Sequence, residues 1–182
     1  MNFHGAPSLT LQEFRGYEQD LVIGGSLQVG VPVGQYDASR AVNLGTHRWS
    51  VKPDLGFSKA FGALTADLTA GVTFFGTNHD FFGGQTVEKD ALWSMQANLS
   101  YNLPGGAWAS LGTTYYRGGR TTADGVRKDG ALANARVGLT LSLPIDRHFS
   151  VKLNASSGVS ARTGSGFDTV GVVAQYRWGA GL

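Results

Sequence analysis

Alternation with a period of two runs through most of this chain, and few folds tolerate it. Leu21, Ile23, Gly25, Leu27, Val29, Val31 and Val33 hold the odd positions, with Gly24, Ser26, Gln28 and Gly30 between them. Successive side chains of a β-strand point to opposite faces, so this segment reads as a strand with one apolar and one polar face. The pattern returns with Trp49, Val51, Pro53, Leu55 and Phe57 against Arg48, Ser50, Lys52, Asp54 and Ser58, and with Leu64 to Phe74 against Thr65 to Thr73. It continues with Trp93 to Tyr101 against Ser94 to Asn102 and, less cleanly, with Ala109 to Tyr115 against Ser110 to Tyr116. Ala135 to Leu143, Phe149 to Ala155 and Val170 to Trp178 complete the set. The spacing predicts about eight antiparallel strands of about ten residues, the length a tilted strand needs to cross a bilayer.

The connections alternate as well. Short turns are expected at 60–63, 103–106 and 144–147, and longer polar, glycine-containing loops at roughly 34–47, 75–91, 117–132 and 162–168. Short turns at one end and long loops at the other match the periplasmic and extracellular ends of an outer-membrane barrel, with both chain ends on the short-turn side.

Alternation does not say which face is inside. A soluble sandwich or a ligand-binding barrel would bury the apolar set. The aromatic residues favour the opposite arrangement. Trp49, Phe74, Trp93 and Tyr115 fall at the long-loop ends of their strands, and Phe57, Tyr101, Phe149, Tyr176 and Trp178 at the short-turn ends. Two such bands bracketing an aliphatic zone are the girdles of a membrane barrel. Composition agrees: only 15% of the residues are charged and 27 are glycine, yet no apolar run approaches the ~20 residues of a membrane helix. With no cysteine, disulfide scaffolds and thiolate zinc sites are excluded, and a net charge of +2 without a dense Lys/Arg run gives no nucleic-acid face.

Several motifs add a resemblance. Pro32-Val33-Gly34-Gln35-Tyr36-Asp37, Arg48-Trp49-Ser50-Val51-Lys52-Pro53, Asp80-Phe81-Phe82-Gly83-Gly84, Tyr115 through Thr122 and Tyr176-Arg177-Trp178-Gly179 are similar to the outer-membrane proteins labelled "putative meta-pathway of phenol degradation". The resemblance covers nearly the whole chain. It implies a Gram-negative outer-membrane β-barrel of transporter type, linked to uptake of aromatic compounds. Members are usually longer at the N-terminus, with a signal peptide and further strands, so the chain is expected to be an N-terminally truncated member. Thr10-Leu11-Gln12-Glu13 reads as a capping box opening a short helix that Gly16 ends. Residues 1–19 are therefore expected as an N-terminal segment with a short periplasmic helix, and 20–182 as the barrel.

In this register Arg48, Lys52, Asp54, Asp67, Arg136, Lys152, Arg162 and Arg177 line the lumen. They form either a pore surface that favours anions or a network of paired charges filling a narrow barrel. Phe81 and Phe82 are expected at the mouth, in contact with a solute or capping the rim. His4, His47, His79 and His148 lie in separate segments without metal-ligand spacing, so neither catalytic residues, metal nor cofactor are assigned. Gly83-Gly84 and Gly118-Gly119 read as turn glycines rather than phosphate cradles. Tyr176 and Trp178 resemble the C-terminal aromatic signal read by the outer-membrane insertion machinery, with Gly179-Ala180-Gly181-Leu182 extending beyond it.

The expectation is an all-β, up-and-down transmembrane barrel in the bacterial outer membrane, contacting its lipid and passing small solutes of unknown identity, aromatic or anionic ones among them. A plugged structural or surface-interaction barrel and a soluble ligand-binding barrel are the alternatives.

Overall fold

A computed structural model describes residues 1–5, 7–10, 12, 13, 16–163 and 166–178. Two antiparallel sheets account for nearly all of its regular structure. In chain order the strands are β1 (Asn2–His4), β2 (Leu21–Gly30), β3 (Ser50–Phe61), β4 (Leu64–Phe75), β5 (Asn78–Phe81), β6 (Gln85–Lys89) and β7 (Leu92–Asn102). They continue with β8 (Trp108–Gly118), β9 (Thr121–Ala123), β10 (Val126–Arg127), β11 (Leu132–Pro144), β12 (Phe149–Ser160) and β13 (Thr169–Tyr176). The main sheet has nine strands in the order β1-β2-β3-β4-β7-β8-β11-β12-β13, so every long strand pairs with its neighbour in sequence.

The eight long strands of this up-and-down sheet are the eight alternating segments, shifted by a few residues at their ends. β2 stops at Gly30, for example, before the alternation through Val31 and Val33 runs out. Their register keeps like faces together. Leu139 lies opposite both Leu111 and Ala155, and Thr140 opposite both Ser110 and Asn154. Tight connections at Phe61-Gly62-Ala63-Leu64 and Pro104-Gly105-Gly106 use glycines at positive φ: 64° at Gly62, 81° at Gly105 and 83° at Gly106.

Three features were not legible in the alternation. β1 adds a short antiparallel partner to β2, pairing Asn2 with Gly24. The segments expected as loops around 75–91 and 117–132 fold into a second, four-stranded sheet in the order β10-β9-β6-β5. Here β6 and β9 prolong the β7–β8 pair beyond a break, with Leu92 opposite Gly118 on one side and Lys89 opposite Thr121 on the other. Gly118 and Gly119 make that break at φ of 104° and 65°. The third feature is in the N-terminal segment. There Thr10 N and Oγ1 both donate to Glu13 Oε2 at 2.8 Å, and Glu13 N donates back to Thr10 Oγ1 at 3.4 Å, the reciprocal bonds of a capping box. Leu11 of that box and the Gly179–Leu182 tail lie outside the described residues.

The apolar face is the open one. Leu27, Trp93 and Leu139 are 66%, 62% and 61% exposed, whereas Ser142 and Ser150 on the polar face are 4% and 6%. Among the described residues the only buried hydrophobic side chains are Val87 and Ala123, in the small sheet, and Ala131, just before β11. The total accessible surface is 12261 Å² for 19.2 kDa, against roughly 8,400 Å² for a soluble monomer of that mass. This chain does not hide its hydrophobic residues in a core; it presents them outward along a sheet whose other face is polar.

Candidate functional site

Charge on the polar face is sorted by strand. Asp54 on β3 and Asp67 on β4 border one concavity of about 420 Å³, together with Ser26, Ser58 and Thr69. Arg136 on β11 borders another of about 300 Å³, with Gln96, Asn98, Ser110 and Thr140. β7 and β8 lie between the two charge groups, a separation of roughly 14 Å along the sheet at the usual strand spacing. Lys52 is paired, its Nζ 2.9 Å from Asp54 Oδ1. Arg136 and Lys152 have no carboxylate at ion-pair distance among the described residues. Arg136 Nη2 instead donates to Ser156 Oγ at 3.0 Å, and its guanidinium lies 4.0 Å from the ring centre of Phe167, which the loop after β12 brings over it. Lys152 Nζ stands 5.6 Å from the Trp108 ring. The basic side of the face is held by hydroxyls and π faces, which orient a cation without neutralising it.

Glycines make room for these polar groups. Asp54, Asn98, Asn154 and Ser156 lie directly across a strand pair from Gly71, Gly112, Gly171 and Gly138. A Cβ on Gly171 would come 2.7 Å from Asn154 Oδ1, and one on Gly112 would come 3.0 Å from Asn98 Oδ1. The polar side chain therefore lies flat across its glycine neighbour instead of standing into the interior, which keeps the face shallow.

A second cluster forms where the long loops meet the main sheet. Asn78, 1% exposed, donates from Nδ2 to Tyr36 Oη at 3.0 Å and to Thr46 O at 3.3 Å. Tyr36 Oη donates to Asp80 O at 2.8 Å, and its ring stacks on His47 with centroids 4.5 Å apart. Tyr36, Thr46 and Asn78, with Phe81 and Arg48, line a concavity of about 260 Å³. Arg48 precedes β3 on the polar side, and its Nη1 is buried without a hydrogen-bond partner. Lys89, at the end of β6, reaches back over the Phe75 ring with Nζ 4.6 Å from its centroid, and Phe75 lies opposite Ser50 at the foot of the Arg48 segment. Burial lowers the Arg48 guanidinium from its ordinary value. Burial also lowers the Lys89 ammonium, and the Arg48 charge lowers it further.

The remaining expected site residues are dispersed. Arg162 lies past the end of β12 and pairs with Asp129 at 2.9 Å, in the loops rather than along the strand wall. Arg177 follows β13, its backbone N donating to His148 O at 2.8 Å. Phe81 ends β5 and enters the loop concavity, whereas Phe82 opens a tight turn through Gly83 and Gly84 and is exposed. The nine aromatics Trp49, Phe57, Phe74, Trp93, Tyr101, Tyr115, Phe149, Tyr176 and Trp178 are all exposed. Among the described residues no three His, Asp or Glu side chains gather as a metal cage. Sequence reasoning overlooked Tyr36, Asn78, Lys89 and Phe167 because they sit outside the alternating segments. Only a polar residue in a segment expected to be loop could have drawn attention to them.

The family described as "Putative MetA-pathway of phenol degradation" matches residues 10–176. The crystal structure of an outer membrane channel from Pseudomonas putida F1 is similar to this chain with a TM-score of 0.74 at 20% sequence identity. The match covers 86% of this chain and 59% of that one, so the chain spans less than two thirds of that channel's length. The fold is that of an outer-membrane β-barrel. No curated protein matches.

Proposed function

The chain belongs to the family described as "Putative MetA-pathway of phenol degradation", and on that premise we propose that it forms the wall of an outer-membrane channel for small solutes. The observation that carries this reading is the inverted sheet: an exposed apolar face and a less exposed polar one, on strands of about the length that spans a bilayer. Residues 20–182 supply the wall in lipid, with β1 added along β2, and the capping box of Thr10 and Glu13 lies at the periplasmic end. The nine exposed aromatics are its interfacial girdles, and the last strand, with Tyr176 at its end and Trp178 just past it, is the one the insertion machinery reads. Passage is passive diffusion, with no catalytic residue, cofactor or metal. The family label links it to degradation of phenolic compounds, and so to aromatic solutes.

Selectivity comes from the polar face. Lys52 and Asp54 cancel each other, and Arg136 and Lys152, without ion-pair partners among the described residues, outweigh Asp67 and favour anions. One observation favours a second reading, a filled interior without transport: Phe167 folds from its loop onto Arg136. Planar-bilayer recording separates the two, with folding checked by heat-dependent gel mobility. An anion-favouring reversal potential in a salt gradient is expected, moving toward cations when Arg136→Glu and Lys152→Glu are combined. An unchanged reversal potential would overturn the selectivity argument, and folded protein without conductance would support the filled interior.

A further inference from the structure

Along β7, β8, β11, β12 and β13 there is no Asp or Glu, so the polar face on that side of the sheet carries only cations. They are Arg136 and Lys152, and each stands beside an aromatic ring. Strand register sets how far apart they are. Thr114, Arg136 and Gly158 form one row across β8, β11 and β12, and Trp108, Ser142 and Lys152 form another. Position 136 is about 20 Å from position 142 along β11 at the usual rise per residue. The two rows between them hold Gly112, Gly138 and Ser156, then Ser110, Thr140 and Asn154. That stretch is shallow and uncharged. The concavity of about 300 Å³ beside Arg136 takes in Ser156, Gly138, Thr140 and Ser110, so open space runs from the Arg136 row toward the Lys152 row.

Neither pair closes on itself. Phe167 gives the Arg136 guanidinium one face at 4.0 Å and is still 61% exposed. Of the Arg136 guanidinium nitrogens only Nη2 has a bonded partner among the described residues, Ser156 Oγ at 3.0 Å. Lys152 Nζ stands 5.6 Å from the Trp108 ring centre. Arg136, Lys152 and Trp108 are all half-buried, so cation and ring remain within reach of a solute.

We propose that the polar face of β8, β11 and β12 is a path with two stations for small aromatic carboxylates. At each station the cation holds the carboxylate, and the neighbouring ring, Phe167 or Trp108, stacks on the ring of the solute. A charge-assisted bond anchors the anionic end, and a wall without acidic side chains does not repel it. Two weak stations with a bare stretch between them let a solute enter and leave, as one tight site would not. The path rests on the channel reading for its purpose. Binding at either station does not require an open pore.

NMR titration of benzoate into the folded protein in neutral detergent tests it. Two sets of resonances are expected to shift saturably: the amides of Arg136 and Ser156, and the Trp108 indole N–H with the Ser142 amide. Amides of β3 and β4 should stay still. Arg136→Gln is expected to weaken binding at the first set roughly tenfold or more and to leave the second unchanged. Lys152→Gln should do the converse, so in each variant the untouched station reports that the protein is folded. Cyclohexanecarboxylate should bind about three- to tenfold more weakly than benzoate, the worth of one ring pair. Phe167→Leu should erase that difference at the Arg136 station only. Equal affinity for the two acids would overturn the role of the rings. Shifts at one station alone, or at both but indifferent to the two Gln variants, would overturn the path. Benzoate shifts at both stations without conductance would sink the channel reading and leave the stations standing. Anion-selective conductance with neither set moving would do the reverse.

Discussion

Asp54 lies directly opposite Gly71 across the β3–β4 pair, and its Oδ1 occupies the space that a Cβ on residue 71 would need. The same oxygen accepts the ion pair from Lys52 at 2.9 Å. A side chain at position 71 must therefore displace the carboxylate and break the pair. Gly71→Val is expected to lower the stability of the folded protein by about 1–3 kcal/mol, the usual cost of overpacking. Urea titration in detergent measures it. Gly56→Ala is the control, since a Cβ there meets Thr69 Oγ1 at an ordinary 3.5 Å. Equal losses at both positions would show that the Asp54–Gly71 fit is not what matters.

The two faces of β11 make a sharper comparison. Leu139 is 61% exposed on the apolar face, and its neighbour Thr140 belongs to the polar one. If the apolar face meets lipid, Leu139→Arg costs about 2–4 kcal/mol near the bilayer midplane, while Thr140→Arg costs much less. Folding into phospholipid vesicles at graded urea reads both. Equal tolerance of the two substitutions would mean that lipid does not cover Leu139.

How far such positions could be foreseen depends on their period. The eight long strands were legible because each sustains its alternation over about ten residues. Even the noisy stretch from Ala109 to Tyr116 found its place, since β7 and β11 fix its register from both sides. The small sheet was not legible. β5, β6, β9 and β10 run from two to five residues, too short to show any period, and they are stabilised by each other rather than by local pattern. The same limit applied to charged residues. Lys52, Asp54, Asp67, Arg136 and Lys152 sit inside strands, so parity placed them on the polar face. Arg162 and Arg177 sit just past strand ends, where parity no longer fixes direction, and Lys89 reaches the polar side only through a sheet that the sequence does not announce.

That small sheet leans on one buried amide. Asn78 Oδ1 accepts from Asp80 N at 3.0 Å while Nδ2 holds Tyr36 Oη and Thr46 O. Asn78→Ala leaves the Asp80 N–H and the Thr46 carbonyl without these partners, at a cost of about 1–3 kcal/mol for a buried polar group. Because β5 and β6 are outside the long-strand wall, the loss should be local. Hydrogen exchange is expected to quicken at Asn78–Phe81 and Gln85–Lys89 while β11 and β12 stay protected. Uniform quickening across the main sheet would show instead that the loops support the wall.

At the opposite end, one carboxylate organises the turn between β11 and β12. Asp146 Oδ1 accepts from His148 N at 2.7 Å and from Phe149 N at 2.8 Å. The His148 N–H bond, then the Phe149 one, holds this carboxyl below its ordinary value of 3.8, with the nearby His148 charge adding slightly. Both bonds favour the ionised form. Their stabilisation is therefore fully present above pH 3.8 and is lost as pH falls through the lower folded value. The amide resonances of His148 and Phe149 should titrate together with a midpoint below 3.8, and Asp146→Ala should abolish that titration. The loss is confined to acid because protonation removes the acceptor charge rather than the turn itself. A midpoint at or above 3.8 would show that the two amides do not hold the carboxylate in solution.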